Sequence, residues 1–130
     1  MYKILLLISL FTSFLFAELR HVDASEEVVK SGIKIIDIRT MPEWKETGLV
    51  KNAIPLTFFD EQGRYDAEVF MKELDKYVSK DTEFALICRT GSRSAAVSEL
   101  LSKQGYKVVN IKGGMKSLVT KGYTPSPYNP

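Results

Sequence analysis

The chain has 130 residues, 45% of them hydrophobic and 26% charged, with a net charge of +2 and a single cysteine. Its charges are spread without a long basic or acidic block, which excludes a surface built to hold nucleic acid. A lone cysteine excludes an internal disulfide, so the fold must stand on its core, and Cys88 is either inert or reactive.

The first predicted element is a leader. After Met1, Tyr2 and Lys3 the chain is apolar from Ile4 through Phe16, broken only by Ser9, Thr12 and Ser13, and no acidic residue precedes Glu18. This is the layout of a signal peptide, and the run is shorter than the roughly 20 apolar residues a membrane span needs. Cleavage is expected after Ala17, with export to the periplasm or elsewhere outside the cytoplasm and no membrane attachment afterwards. Leu15 stands where a small residue is usual at such a site, so an uncleaved membrane anchor is the alternative. Residues 18–123 have the length of one domain. Residues 124–130 form an irregular tail, in which Pro125, Pro127 and Pro130 argue against helix or sheet.

Within the domain, short apolar runs alternate with helical patterns. A short element is expected at Ala24 to Lys30. A strand follows through Ile33, Ile35, Ile36 and Ile38, and a helix over Ala67 to Val78 whose Val69, Phe70, Leu74 and Tyr77 share one face. Phe84 to Ile87 is a second strand. The next helix, Ser94 to Gln104, places Ala96, Val97, Leu100 and Leu101 together and stops at Gly105; Lys107 to Ile111 is the third strand, and a short element covers Met115 to Lys121. Strands alternating with helices predict an α/β fold, a mainly parallel sheet flanked by helices on both faces, with its ligand crevice beyond the carboxyl ends of the strands.

That rule points to Cys88, which ends the run Phe84-Ala85-Leu86-Ile87 and is followed by Arg89-Thr90-Gly91-Ser92-Arg93 before the helix. A loop returning tightly into a helix aims successive main-chain N–H groups at one centre, and the first helical turn adds unsatisfied donors. An anionic sulfur would be held there. Gly91 has no Cβ and can take positive φ, so the loop can close, while Arg89 and Arg93 add permanent positive charge. The thiolate is the nucleophilic form of cysteine, and such surroundings favour it. The expected sulfur is therefore anionic and accessible.

The segment Cys88, Arg89, Gly91, Arg93 and Ser94 resembles the active loop of the rhodanese family, Cys-Arg-x-Gly-x-Arg-Ser. Ile36-Asp37-Ile38-Arg39 with Glu43-Trp44, Gly48 to Ile54, Gly113-Gly114-Met115 and Gly122-Tyr123 resemble further family segments, so the likeness covers nearly the whole domain. Leu49, Asn52 and Leu118 depart from it, standing where histidine, glycine and tryptophan are common. The resemblance implies a five-stranded sheet, Cys88 as sulfur acceptor, and a persulfide cradle formed by the amides from Arg89 through Thr90, Gly91, Ser92 and Arg93 to Ser94. Arg89 and Arg93 would bind the donor. Four residues separate Cys88 from Arg93, one fewer than in cysteine phosphatases, so a tetrahedral phosphate should fit poorly.

The implied activity is transfer of sulfane sulfur, from a donor such as thiosulfate or polysulfide to a thiol or cyanide, by covalent catalysis in two half-reactions. The alternative is a carrier that hands sulfur to an acceptor protein without small-molecule turnover. Small sulfur-containing anions are the expected partners, with no cofactor. Asp37 and Arg39 end a strand on the same edge as Cys88 and are expected to brace its loop. His21, the only histidine, is read as a surface residue, and no metal site is expected. Trp44 is assigned to the core, and solvated lysines are the expectation for Lys112 and Lys116.

Overall fold

The computed structural model describes residues 18–130, so the predicted leader, Met1 to Ala17, lies outside the described residues. The chain runs β1 (Leu19–Asp23), α1 (Glu26–Lys30), β2 (Lys34–Asp37), α2 (Met41–Thr47), β3 (Ile54–Pro55), α3 (Ala67–Leu74), β4 (Phe84–Ile87), α4 (Ser92–Lys103), β5 (Val108–Lys112) and α5 (Gly114–Thr120). The strands form one five-stranded parallel sheet in the order β1-β5-β4-β2-β3. All four side chains of β4, at its centre, are buried, as a strand covered on both faces requires.

Period-two alternation divides the core into two layers. Ile36, Phe84, Leu86, Cys88 and Val108 join Phe70 and Leu74 of α3 and Val97 and Leu101 of α4 on one face. Ile35, Ala85, Ile87, Val109 and Ile111 join Met115 and Leu118 of α5 on the other. A residue's parity in its strand thus decides which helices it meets.

Apolar periodicity finds β2, β4, β5, α3 and α4 but passes over three elements. In β1 the sequence Leu-Arg-His-Val-Asp leaves three of five side chains exposed on an edge strand. β3 is two residues long. α2 buries only Trp44 and is defined by its start, Thr40 as N-cap with Glu43 closing a capping box.

The helix faces also differ from expectation. α3 turns Phe70 and Leu74 inward and leaves Val69 exposed; it ends at Leu74, short of the expected Val78, so Tyr77 lies in the turn that follows and is exposed. Residues 70 and 74 are one turn apart on the same side, and 69 lies too far around it. In α4 the buried stripe is Ser94, Val97, Ser98 and Leu101, with Ala96 exposed. The small serines let its first turns lie close over the sheet.

The tail is mostly irregular but held at two points. Ser126 pairs with Leu49 in an antiparallel bridge through two N–H···O bonds of 2.8 Å, and Tyr128 lies 5.5 Å from the Trp44 ring. The prolines sit either side of Ser126, leaving its own N–H free to donate. Asn52, which replaces a glycine of the family pattern, takes φ of +68°, a region asparagine tolerates better than other side chains. Among the described residues, no helix is long and apolar enough to cross a membrane.

Candidate active site

Cys88 follows the last residue of β4, and the chain then turns within three residues to Gly91, the N-cap of α4. The turn is possible because Gly91 has φ of +99°, and a Cβ there would stand 2.9 Å from the Gly113 nitrogen. Behind the loop lies the start of α5. Its Met115 and Lys116 N–H groups donate to the carbonyls of Cys88 and Arg89, each at 2.9 Å. A side chain on Gly114 would run into those same carbonyls. With the loop's oxygens drawn toward α5, N–H groups are left to face the sulfur: Gly91 donates to Cys88 Sγ at 3.1 Å and Ser94 at 3.3 Å. The Ser94 hydroxyl oxygen also lies 3.3 Å from Sγ.

Sγ therefore sits among converging donors, as the loop sequence predicts, but it is not accessible. Cys88 has 0% exposure, its side chain packed with Ile36, Leu86 and Val97 in the layer that faces α3 and α4. Arg89, Thr90 and Ser92 are exposed, whereas Gly91 and Ser94 are buried. Arg89 shares a groove of about 250 Å³ with Met115, Lys116, Glu46 and Thr47, so two cations stand beside the loop.

Arg93 is not a free anion clamp. Both of its terminal nitrogens are taken by Glu43 of α2, at 2.8 and 2.7 Å. Those bonds are the main reason that the Glu43 carboxyl is pushed down to about 2; partial burial opposes the shift, and the Thr40 N–H assists it. The same contact raises Arg93 above its ordinary value. Glu43 was not singled out by sequence as a site residue, although the Thr40-x-x-Glu43 capping box placed it at the start of a helix on the correct edge.

Asp37 and Arg39 are both buried and form a bidentate pair, with contacts of 2.7 to 3.1 Å. They do not bond to the cysteine loop. Arg39 instead donates to Thr47 Oγ1 and to the Gly48 carbonyl, and Trp44 Nε1 donates to Asp37. Their bracing is indirect: they fix α2 to β2, and α2 carries the Glu43 that holds Arg93.

Sequence reasoning also missed Asn110 and the part played by His21. Leu86 pairs in register with Asn110, and Asn110 with His21, so all three face α4 together with Cys88. The Ser94 hydroxyl donates to Asn110 Oδ1 at 2.6 Å, and Asn110 Nδ2 lies 3.0 Å from His21 Nδ1. His21 is exposed, as expected, but it is bonded to a side chain that is 2% exposed. An asparagine at an inward position of a buried strand was the available signal for Asn110; β1, which places His21, was not recognised.

The fold and site together define a parallel α/β protein with a buried cysteine set in a strand-to-helix loop of converging N–H donors. Comparison with known proteins gives the family: residues 21–121 match the rhodanese-like domain family, and the chain belongs to that family. It is 35% identical over 94 residues to YtwF of Bacillus subtilis, provisionally named a sulfurtransferase, covering 72% of this chain and 76% of that one. It is 27% identical over 107 residues to thiosulfate sulfurtransferase 18 of Arabidopsis thaliana, covering 78% of each. Among solved structures, a rhodanese-related protein of Thermoplasma volcanium aligns with a TM-score of 0.60 and 27% identity, over 80% of this chain and 94% of that one.

Proposed function

We propose that this protein is an exported sulfurtransferase in which Cys88 carries sulfur as a persulfide. The observation that supports this most strongly is the pair of main-chain N–H groups, from Gly91 and Ser94, directed at Sγ from a strand-to-helix turn. The Cys88 thiolate attacks the outer sulfur of thiosulfate; a bond forms between Sγ and that sulfur, the donor's S–S bond breaks, and sulfite leaves with the electron pair. A thiol or cyanide then attacks the terminal sulfur, the bond to Sγ breaks, and the thiolate returns. The two N–H groups stabilise negative charge at sulfur throughout the cycle. Arg89 and Lys116, at the loop and in the adjoining groove, draw anionic donors toward it.

A second reading has one observation in its favour. Because Cys88 is wholly buried, sulfur can enter and leave only when the site opens, and a docking acceptor protein could drive that opening. The chain would then be a polysulfide or sulfane-sulfur carrier with little small-molecule turnover. A steady-state assay with thiosulfate and cyanide separates the two. Ping-pong turnover that disappears in Cys88→Ser supports the enzyme, and a rate no faster than buffer supports the carrier. Export rests on the leader, and the mass of the protein recovered from the periplasm should correspond to a chain starting at Glu18.

A further inference from the structure

Four side chains form a continuous polar line from the buried sulfur to solvent. Cys88 Sγ lies 3.3 Å from Ser94 Oγ, which donates to Asn110 Oδ1 at 2.6 Å; Asn110 Nδ2 lies 3.0 Å from Nδ1 of the exposed His21. Ser94 is 0% exposed and Asn110 2%, so each buried group depends on its neighbours for hydrogen bonds. We propose that Asn110 is a positioning residue for Cys88, and that His21 is the outer end of a relay through which external acidity sets the direction of the Ser94 hydroxyl.

Donor and acceptor counting gives two states of the line. With His21 neutral and Nδ1 accepting, Asn110 must present its NH₂ to the ring and its oxygen to Ser94. The single Ser94 proton is then committed to Asn110, and Sγ faces a hydroxyl oxygen to which only a protonated thiol can donate. When His21 takes up a proton from solvent, Nδ1 becomes a donor and can no longer receive the amide. Asn110 turns over, its oxygen accepts from the imidazolium, and its NH₂ donates to Ser94 Oγ. The Ser94 proton is released from Asn110 and has two remaining acceptors, the Gly91 carbonyl at 3.2 Å and Sγ at 3.3 Å; an anionic sulfur draws it from the neutral carbonyl, adding a third donor to those of Gly91 and Ser94. One proton from solvent forms the N–H bond at His21 Nδ1, and otherwise only hydrogen bonds change.

Other charges near His21 are few. The shallow cleft beside it receives Ala95 from α4, Thr90 from the loop and Lys112 from β5; Lys112 lies 3.9 Å from Asp23 of β1. Arg20, also on β1, is engaged by Glu83 at 2.7 Å.

The relay rests on Cys88 being the reacting group only for its catalytic consequence, and its test does not require sulfur transfer. Because Cys88 is the only cysteine, protein labelled with ¹³C at cysteine Cβ gives one cysteine signal, which is followed from acid to alkaline pH alongside the His21 ring resonances. The wild-type signal should show, besides the thiol ionisation, an inflection coincident with the titration of His21. That inflection should be lost in His21→Gln, which keeps a neutral hydrogen-bonding side chain at an exposed position. It should also be lost in Asn110→Leu and in Ser94→Ala, where the line is broken but His21 still titrates. A single ionisation in wild type, identical in His21→Gln, overturns the relay. So does an inflection that survives both Asn110→Leu and Ser94→Ala, since the coupling would then pass through space. Either negative result obtained with thiosulfate turnover intact removes the relay alone and leaves the sulfurtransferase reading in place.

Discussion

Two adjacent parallel strands, β2 and β4, carry buried polar groups at their carboxyl ends, and the two ends are built on opposite plans. At the end of β2 the donors and acceptors satisfy one another: Arg39 is spent on Asp37, Thr47 and Gly48, and the Trp44 N–H closes the remaining side of Asp37. At the end of β4 the donors converge on a single sulfur, and the next two residues of the chain, Arg89 and Thr90, are exposed. A charge network closed on itself holds a fold in register, whereas unreciprocated donors aimed at a nucleophile prepare it for negative charge. The Glu43–Arg93 pair links the two, because α2 is fixed by the first and grips the loop of the second.

The sharpest break in this comparison is Cys88→Ser, which should abolish thiosulfate turnover while changing stability by only about 1 kcal/mol, since a hydroxyl can also accept the loop N–H bonds. The converse is Asp37→Ala. It leaves Arg39 buried without its counter-charge and should cost about 3–5 kcal/mol in denaturant unfolding. Gly91→Ala tests the turn itself. At φ of +99°, with Cβ placed 2.9 Å from the Gly113 nitrogen, it should cost about 1–3 kcal/mol, and it should slow turnover roughly tenfold by shifting the loop donors.

Glu43→Gln addresses the link between the two strand ends. With both partners part-exposed, the loss at pH 7 should be about 1–2 kcal/mol. A carboxyl lowered from 4.5 to about 2 on folding stabilises the folded state above pH 4.5 and loses that contribution as pH falls toward 2. Unfolding curves of wild type and variant should therefore converge across that window.

What the sequence disclosed follows the same division. β4 and the Cys88 loop were legible because four apolar residues, a cysteine and, three residues on, a glycine fall within one short stretch, and local chemistry fixes their shape. The buried stripe of α3 was misread at Val69, since spacing alone does not say which side of a short helix meets the sheet, and at Tyr77 because the helix ends three residues before it. Arg93 appeared to be a free cation because its partner, Glu43, lies fifty residues away in a helix announced by capping rather than by periodicity. Burial of Cys88 was hidden too. It depends on the side chain joining Ile36, Val97 and Leu101 in the layer beneath α4, a tertiary contact that no local pattern encodes.

The most direct measurement is the intact mass of the purified protein before and after incubation with thiosulfate or polysulfide, and again after a thiol reductant. The expected result is a gain of one sulfur atom, located on the Cys88 peptide, reversed by the reductant and absent from Cys88→Ser. An unchanged mass, or an adduct that persists in Cys88→Ser, would contradict the assignment of Cys88 as the sulfur carrier.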